Sequence, residues 1–153
     1  MDWTDDEHTA VLREVAESWA RYQTLLDTLA TDDLQRPATV GHWSGRDVVA
    51  HTANWEEHCV GLVRRWDAGE PKQWLYEAEP ADMARWDAWN EEQLRPLDGQ
   101  SLADVRAYAT RVHAELLEMI VASPHVTVDD LHGMTTVHYD FHEADLRALR
   151  SGA

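Results

Sequence analysis

Apolar residues along this chain recur at intervals of three and four over four long stretches, the period of a helix with one buried face. The first stripe is Leu12, Val15, Trp19, Tyr22, Leu26 and Leu29, preceded by Thr4 and Glu7 at capping-box spacing. The second is Val48, Thr52, Trp55, Cys59, Leu62 and Trp66. It opens at Ser44 with Asp47 three residues on, and it stops at Gly69 and Pro71. The third is Leu102, Val105, Ala109, Val112, Leu116 and Met119, starting at Ser101 with Asp104 and ending at Ser123 and Pro124. A last helix is predicted over 135–150. Residues 31–41, which hold Pro37 and Gly41, read as a connection, and 125–134 as a short extended piece or a loop. The stretch 70–100 predicts one short helix over 80–95, closed by Pro96 and an Asp98–Gly99 turn. The fold class is therefore all-α: a four-helix bundle with a small extra helix in the long connection between helices two and three. With no repeat and no linker, residues 1–153 form one domain.

Composition narrows the partners. Hydrophobic residues make up 44% and charged residues 27%, which suits an ordered domain, and the length suffices for a core without disulfide or metal staples. Thirteen basic residues face 29 acidic ones, a net charge of −16 that repels phosphate backbones and anionic lipid. Nucleic acid and membrane are accordingly not expected as partners. A single cysteine, Cys59, rules out an intramolecular disulfide. No apolar run reaches the ~18 residues of a membrane span. The acidic N-terminus lacks the basic and apolar regions of a secretory signal, so a cytoplasmic location is expected. Eight tryptophans and nine histidines are many for this length and direct attention to a site.

His138 and His142 lie four apart on the last predicted helix, one above the other on one face, the spacing at which two imidazoles bind one divalent metal. His51 borders the apolar stripe of the second helix and points into the bundle or towards its edge. Three inward imidazoles are hard to satisfy by hydrogen bonds alone, and a shared metal is their commonest partner. Three protein nitrogens with one open position is the arrangement of a catalytic rather than a structural metal site. Around it, Trp55, His58, Trp86, Trp89 and Arg46 are candidates for a substrate pocket. His58 follows His51 by one heptad and either touches the site or is a hydrogen-bonded, partly buried residue. Arg46 either holds an anionic substrate or pairs with an acidic neighbour. Glu56 and Glu57 either orient a ligand or act as a general base near the metal, or form a solvated face. Trp19, Trp55 and Trp66 read as core, and Trp43 as a staple before the Ser44 cap. Trp74, Trp86 and Trp89 either roof a pocket or pack on the outside of the bundle. Cys59 sits on an apolar stripe and is not a nucleophile. His42 and His113 are not assigned, and His8, His125 and His132 read as surface. No dinucleotide, phosphate-loop, metalloprotease or nucleophile-elbow motif is present.

The stretch 41–56, GHWSGRDVVAHTANWE, resembles the second-helix motif of the DinB/YfiT-like superfamily, and His138 with His142 resembles the same family's last-helix motif. The resemblance implies a four-helix bundle whose three histidines, here His51, His138 and His142, bind a divalent metal, zinc or nickel foremost and iron also. It implies an up-down-down-up path, with helices two and four antiparallel; chain lengths alone allow either direction. Members of the family include bacillithiol-dependent thiol S-transferases, and mycothiol-dependent maleylpyruvate isomerase is similar in its bundle domain. A low-molecular-weight thiol cosubstrate is implied in the same way. Residues 86–90, WDAWN, are similar to the branch containing colibactin self-protection proteins, which do not use the three histidines.

The reading that follows is a divalent-metal-dependent enzyme, a thiol S-transferase or detoxifying enzyme acting on a small electrophile. Its alternatives are a metal-assisted hydrolase, or a non-catalytic or metal-free stress or self-protection binding protein. The aromatic surface of Trp74, Tyr76, Trp86 and Trp89, beyond what four stripes can hide, predicts a homodimer through helix flanks or this segment.

Overall fold

The computed structural model describes residues 5–72 and 83–149. Along these run α1 (Asp5–Thr28), α2 (Thr31–Gln35), α3 (Gly45–Asp67), α4 (Met83–Leu94) passing into a 3-10 turn (Arg95–Leu97), α5 (Leu102–Ala122), α6 (Val128–Met134) and α7 (Thr136–Ala148). Among the described residues there is no strand, only an isolated bridge between Val40 and Trp43. The four long predicted helices are α1, α3, α5 and α7, and the small helix of the long connection is α4.

Local signals account for most of the boundaries. Ser44 caps α3 with both bonds of the capping box, its side chain accepting from the Asp47 amide and Asp47 accepting from the Ser44 amide. Ser101 caps α5 by accepting from the Asp104 amide. Thr4, the other proposed cap, lies outside the described residues, as do Trp74 and Tyr76. Two stretches differ from the sequence reading. Residues 31–35 form one turn of helix because Asp32 and Asp33 favour its N-terminal end and Leu34 buries its side chain. Residues 128–134 are α6 rather than an extended piece or loop. Thr127 and Asp130 form a full capping box, and Leu131 and Met134 are wholly buried. The chain's lysine, Lys72, bonds the Asp130 carboxylate and donates to the His125 carbonyl at 3.0 Å, tying the start of the crossover to α6.

Contacts along the helices give their directions. On α3 and α7, Gly45 lies by Leu149, His51 by His138 and His142, and Trp55 by Gly133, so these helices are antiparallel. On α3 and α5, Arg46 meets Gln100, Glu56 meets His113 and Asp67 meets Ser123, so these run parallel. On α1 and α5, Trp19 meets His113 and Gln23 meets Arg106, which is antiparallel. The order is up-down-down-up. A parallel α3 and α5 require a connection that returns the full length of the bundle, which is why the crossover is long and has room for α4.

Helix α3 is the central element and is buried on most of its circumference, with all six predicted stripe residues inside. The core falls into two apolar clusters. One gathers Tyr22, Leu26, Val49, Ala53, Val105, Ala109 and Leu146, and the other Val15, Trp55, Cys59, Leu116, Ile120 and Met134. At their junction stand Glu56, His113, Tyr139 and the half-buried Trp19.

At the start of α3 the chain packs without room for a side chain. A Cβ on Gly45 would lie 2.8 Å from both Leu149 Cδ1 and Leu34 Cδ2, whereas one on Gly61 would meet nothing within 4 Å. Gly45→Ala is therefore expected to destabilise by about 1–3 kcal/mol through overpacking. Gly61→Ala, in the helix interior, should stabilise by up to about 1 kcal/mol. Thermal melts of the two variants should move in opposite directions. Equal shifts would show that the close approach at Gly45 carries no cost.

Candidate metal centre

Three imidazoles converge where α3 and α7 face one another. His51 sits in the second turn of α3, and His138 and His142 on consecutive turns of α7, so that their nitrogens form one group with all ligand atoms within 4.8 Å. The Nε2 atoms of His51 and His138 are 2.9 Å apart. His51 meets the rings of His138 and His142 edge-on at 4.8 and 5.0 Å. His51 lies at the level of the α7 pair, its ring nearly equidistant from those of His138 and His142 on two successive turns.

The group is held by the elements beneath it. His142 Nδ1 is 3.1 Å from Asp145 Oδ2. A carboxylate only accepts, so Nδ1 carries the proton and Nε2 presents a lone pair, the arrangement in which an acid orients a metal-binding imidazole. Asp145 is a site residue that the sequence reading missed, although its position three after His142 put it on the same helix face. Each histidine also has an aromatic ring against it. Trp43 stands 4.9 Å from His51, Trp55 5.4 Å from His138, and Phe141 5.1 Å from His142. Trp43 is fixed in turn by Glu91 of α4, whose Oε1 accepts from Trp43 Nε1 at 2.7 Å and from His42 Nε2 at 2.5 Å.

Burial sets the charge state. It pushes the His51 imidazole down to about 3 from its ordinary 6.5, with His142 adding to the effect. Burial lowers His138 well below the usual range, reinforced by His51 and His142. Burial lowers His142 as well, against the pull of Asp145 in the other direction. All three are neutral at neutral pH, the protonation state that binds metal.

This donor set fits a divalent ion. Two imidazoles on one tetrahedral zinc at ~2.0–2.1 Å stand about 3.3 Å apart, so the His51–His138 pair needs to open only slightly. His138 Nδ1 is buried without a hydrogen-bond partner, so His51 is the only polar partner of that ring among the described residues.

The other predicted residues divide. Trp55 borders the centre. His58 does not join the histidine group; its ring lies against Trp55 and Trp89 at 5.9 and 5.2 Å, with Nε2 buried and unpartnered among the described residues. Trp89 and Trp86 are half-buried and in contact at 5.9 Å. Arg46 is engaged elsewhere: it bonds the Leu97 carbonyl, donates to the Gln100 carbonyl at 2.9 Å and pairs with Asp47. Its guanidinium thus fastens the crossover to α3, and holding an anionic substrate would require breaking those bonds. Glu57 is exposed and accepts from Tyr108. Glu56, read as orienting a ligand or facing solvent, is 1% exposed. Burial pushes the Cys59 thiol well above its ordinary range, as expected of a side chain that is not a nucleophile.

A family model of the DinB superfamily matches residues 14–146. The chain belongs to the DinB superfamily. Neither the curated proteins nor the solved structures yield a match. The matched span runs from the first helix through both α7 histidines, so the DinB assignment covers the whole centre. No described helix is long and apolar enough to cross a membrane.

The depressed histidines give a pH dependence of defined sign for the metal-free protein. Between pH of about 3 and 6.5 the unfolded chain binds a proton at His51 that the folded chain refuses. Stability should therefore fall as pH drops through that window, with His138 and His142 acting in the same direction. Denaturant melts across it should show the loss, and His51→Gln should flatten it. An unchanged slope in that variant would mean that His51 is protonated in the fold.

Proposed function

We propose that this DinB-superfamily protein is a metal-dependent enzyme in which His51, His138 and His142 hold one divalent ion, zinc or nickel foremost and iron also. The observation that carries the reading is the meeting of three neutral imidazoles from two helices, with His142 turned by Asp145. A divalent ion in such a site supplies Lewis acidity, which lowers the pKa of a water or thiol in its remaining coordination position. The chain's own residues supply the rest. The histidines offer lone pairs without titrating, and Trp43, Trp55 and Phe141 wall the centre with apolar surface. His138 is half-buried and Phe141 is 71% exposed, so the centre lies close to the surface on the α7 side.

The reaction we favour is thiol S-transfer to a small electrophile. Cys59 is wholly buried and its thiol stays protonated, so the sulfur nucleophile comes from a low-molecular-weight thiol cosubstrate. The resemblance to thiol-dependent members of the superfamily supports the same choice.

Protein produced without an affinity tag should contain close to one equivalent of zinc, nickel or iron by elemental analysis. Each single His→Ala change at 51, 138 or 142 should remove most of it. Asp145→Ala should weaken binding about ten- to a hundredfold by freeing the His142 ring. Chelation should lower the melting temperature yet leave helical circular dichroism, because the two apolar clusters stand without the ion. Loaded protein should then consume a bacillithiol- or mycothiol-type thiol with a model electrophile. Full metal with no thiol consumption, but turnover of an ester or amide, would favour the hydrolase. Full metal in His51→Ala would remove that residue from the centre, and no metal in native protein would favour the binding protein.

A further inference from the structure

The structure contains a second polar group that the proposed chemistry does not use. Glu56, a carboxylate 1% exposed in the middle of α3, accepts from Tyr139 Oη of α7 and from His113 Nδ1 of α5 at 3.0 Å. His113 and Tyr139 are themselves buried and 2.9 Å apart. Trp19 of α1 stacks on the His113 ring at 3.9 Å and 13°. Three of the long helices thus meet at one carboxylate, and α1 covers the group through Trp19, at the level where the two apolar clusters join.

Such a group is costly to bury. Desolvation raises the Glu56 pKa, and its hydrogen bond from His113 opposes the rise. An apolar residue at this position would pack with less penalty, because a buried carboxyl and its partners seldom outweigh a hydrophobic replacement. What a buried hydrogen-bonded group adds to apolar packing is a finer limit on rotation. A small turn of a helix can be absorbed by repacking of apolar side chains, whereas it breaks the bonds of a buried carboxyl and leaves it unpaired in a low-dielectric interior.

The placement of the partners gives this pin a purpose. Tyr139 directly follows His138, and Glu56 lies five residues after His51. The bond between Glu56 and Tyr139 therefore joins α3 to α7 next to the point where His51 and His138 meet. A parallel tie holds the other ligand: Thr52, the residue after His51, donates to the Val49 carbonyl and accepts from Tyr22 Oη of α1 at 3.0 Å. Helix α7 packs chiefly on α1 and α6, and α3 chiefly on α5, so each histidine-bearing helix has its main packing partners elsewhere. The bond between Glu56 and Tyr139 adds a directional contact between them at the level of the histidines.

We infer that Glu56, with Tyr139 and His113, is a positioning device for the histidine centre: its buried carboxylate locks the rotation of α7 against α3 and thereby aims His138 and His142 at His51. The inference rests on the proposed metal reading for its purpose, but the lock itself can be tested with no metal present.

The test compares wild type with Tyr139→Phe, Glu56→Gln and Ile120→Val. Phe keeps the ring and removes the clasp. Gln keeps an acceptor oxygen and serves as the conservative rescue. Ile120→Val loosens the far apolar cluster without touching the network. In metal-free protein, 15N shifts of the His51 and His138 rings should report their mutual hydrogen bond in wild type, Glu56→Gln and Ile120→Val, and its loss in Tyr139→Phe. With cobalt(II) as the probe, Tyr139→Phe should bind about tenfold more weakly and show an altered d–d spectrum, at the low end of what outlying partners of metal ligands contribute. Ile120→Val should lose stability with neither change. Unaltered ring shifts in Tyr139→Phe would overturn the positioning role whatever the metal does. Failure of wild type to bind cobalt, with the shift changes intact, would instead sink the metal reading and leave the lock standing.

Discussion

The interior of this bundle is organised around one buried carboxylate. Glu56 receives hydrogen bonds from α5 and α7, and α1 closes over it through the stacked ring of Trp19. Above and below that level the core is mainly apolar. At that level a displacement leaves a desolvated carboxyl or hydroxyl without its partner. The histidine centre lies beside this layer, on the two helices that the carboxylate joins. Stability resides mainly in the two apolar clusters and geometric definition mainly in the polar layer between them, a division that follows from the non-directional nature of the hydrophobic effect.

The centre itself is built from short-range and long-range contributions of different kinds. The pair on α7 is a local matter: two residues four apart on a helix share a face whatever surrounds them. The tie from His142 to Asp145 is equally local. His51 arrives from another helix, and its meeting with the pair depends on which faces of α3 and α7 pack together, within a path set by the crossover that carries the chain back between α3 and α5. That crossover is not a passive strap. Arg46 anchors its end, and Glu91 of α4 holds Trp43 against His51, so the segment that allows the topology also supports one of the histidines.

Helix positions, the Ser44 and Ser101 caps, and the buried stripe of α3 were legible because each depends on residues within a turn or two of one another. The one-turn helix at 31–35 was overlooked because it lacks a side-chain cap and is too short to show a period. Residues 128–134 were overlooked for a different reason. Their capping box, Thr127 with Asp130, was present, but the β-branched run ahead of it suggested an extended piece, and burial of Leu131 and Met134 decided the matter. Among the histidines, the pattern brought out the three that form the centre and was silent on His113. Its role comes from Glu56, which lies 57 residues away in the chain. Arg46 shows the converse. Its charge near the start of α3 invited a substrate role, while its actual partners are carbonyls of the crossover that no pattern announces.

By itself the sequence determined the all-α class, the four main helices, the exclusion of an intramolecular disulfide and the identity of three histidines able to share an ion. Those properties follow from periodicity, cap chemistry and residue type, which act over a few residues. The tertiary structure decided the up-down-down-up path, the convergence of His51 with the α7 pair, the withdrawal of Arg46 and the conversion of Glu56 and His113 into a buried polar layer. These depend on which helix faces meet and at what rotation. Helical periodicity marks the face that is buried and leaves unstated what it is buried against.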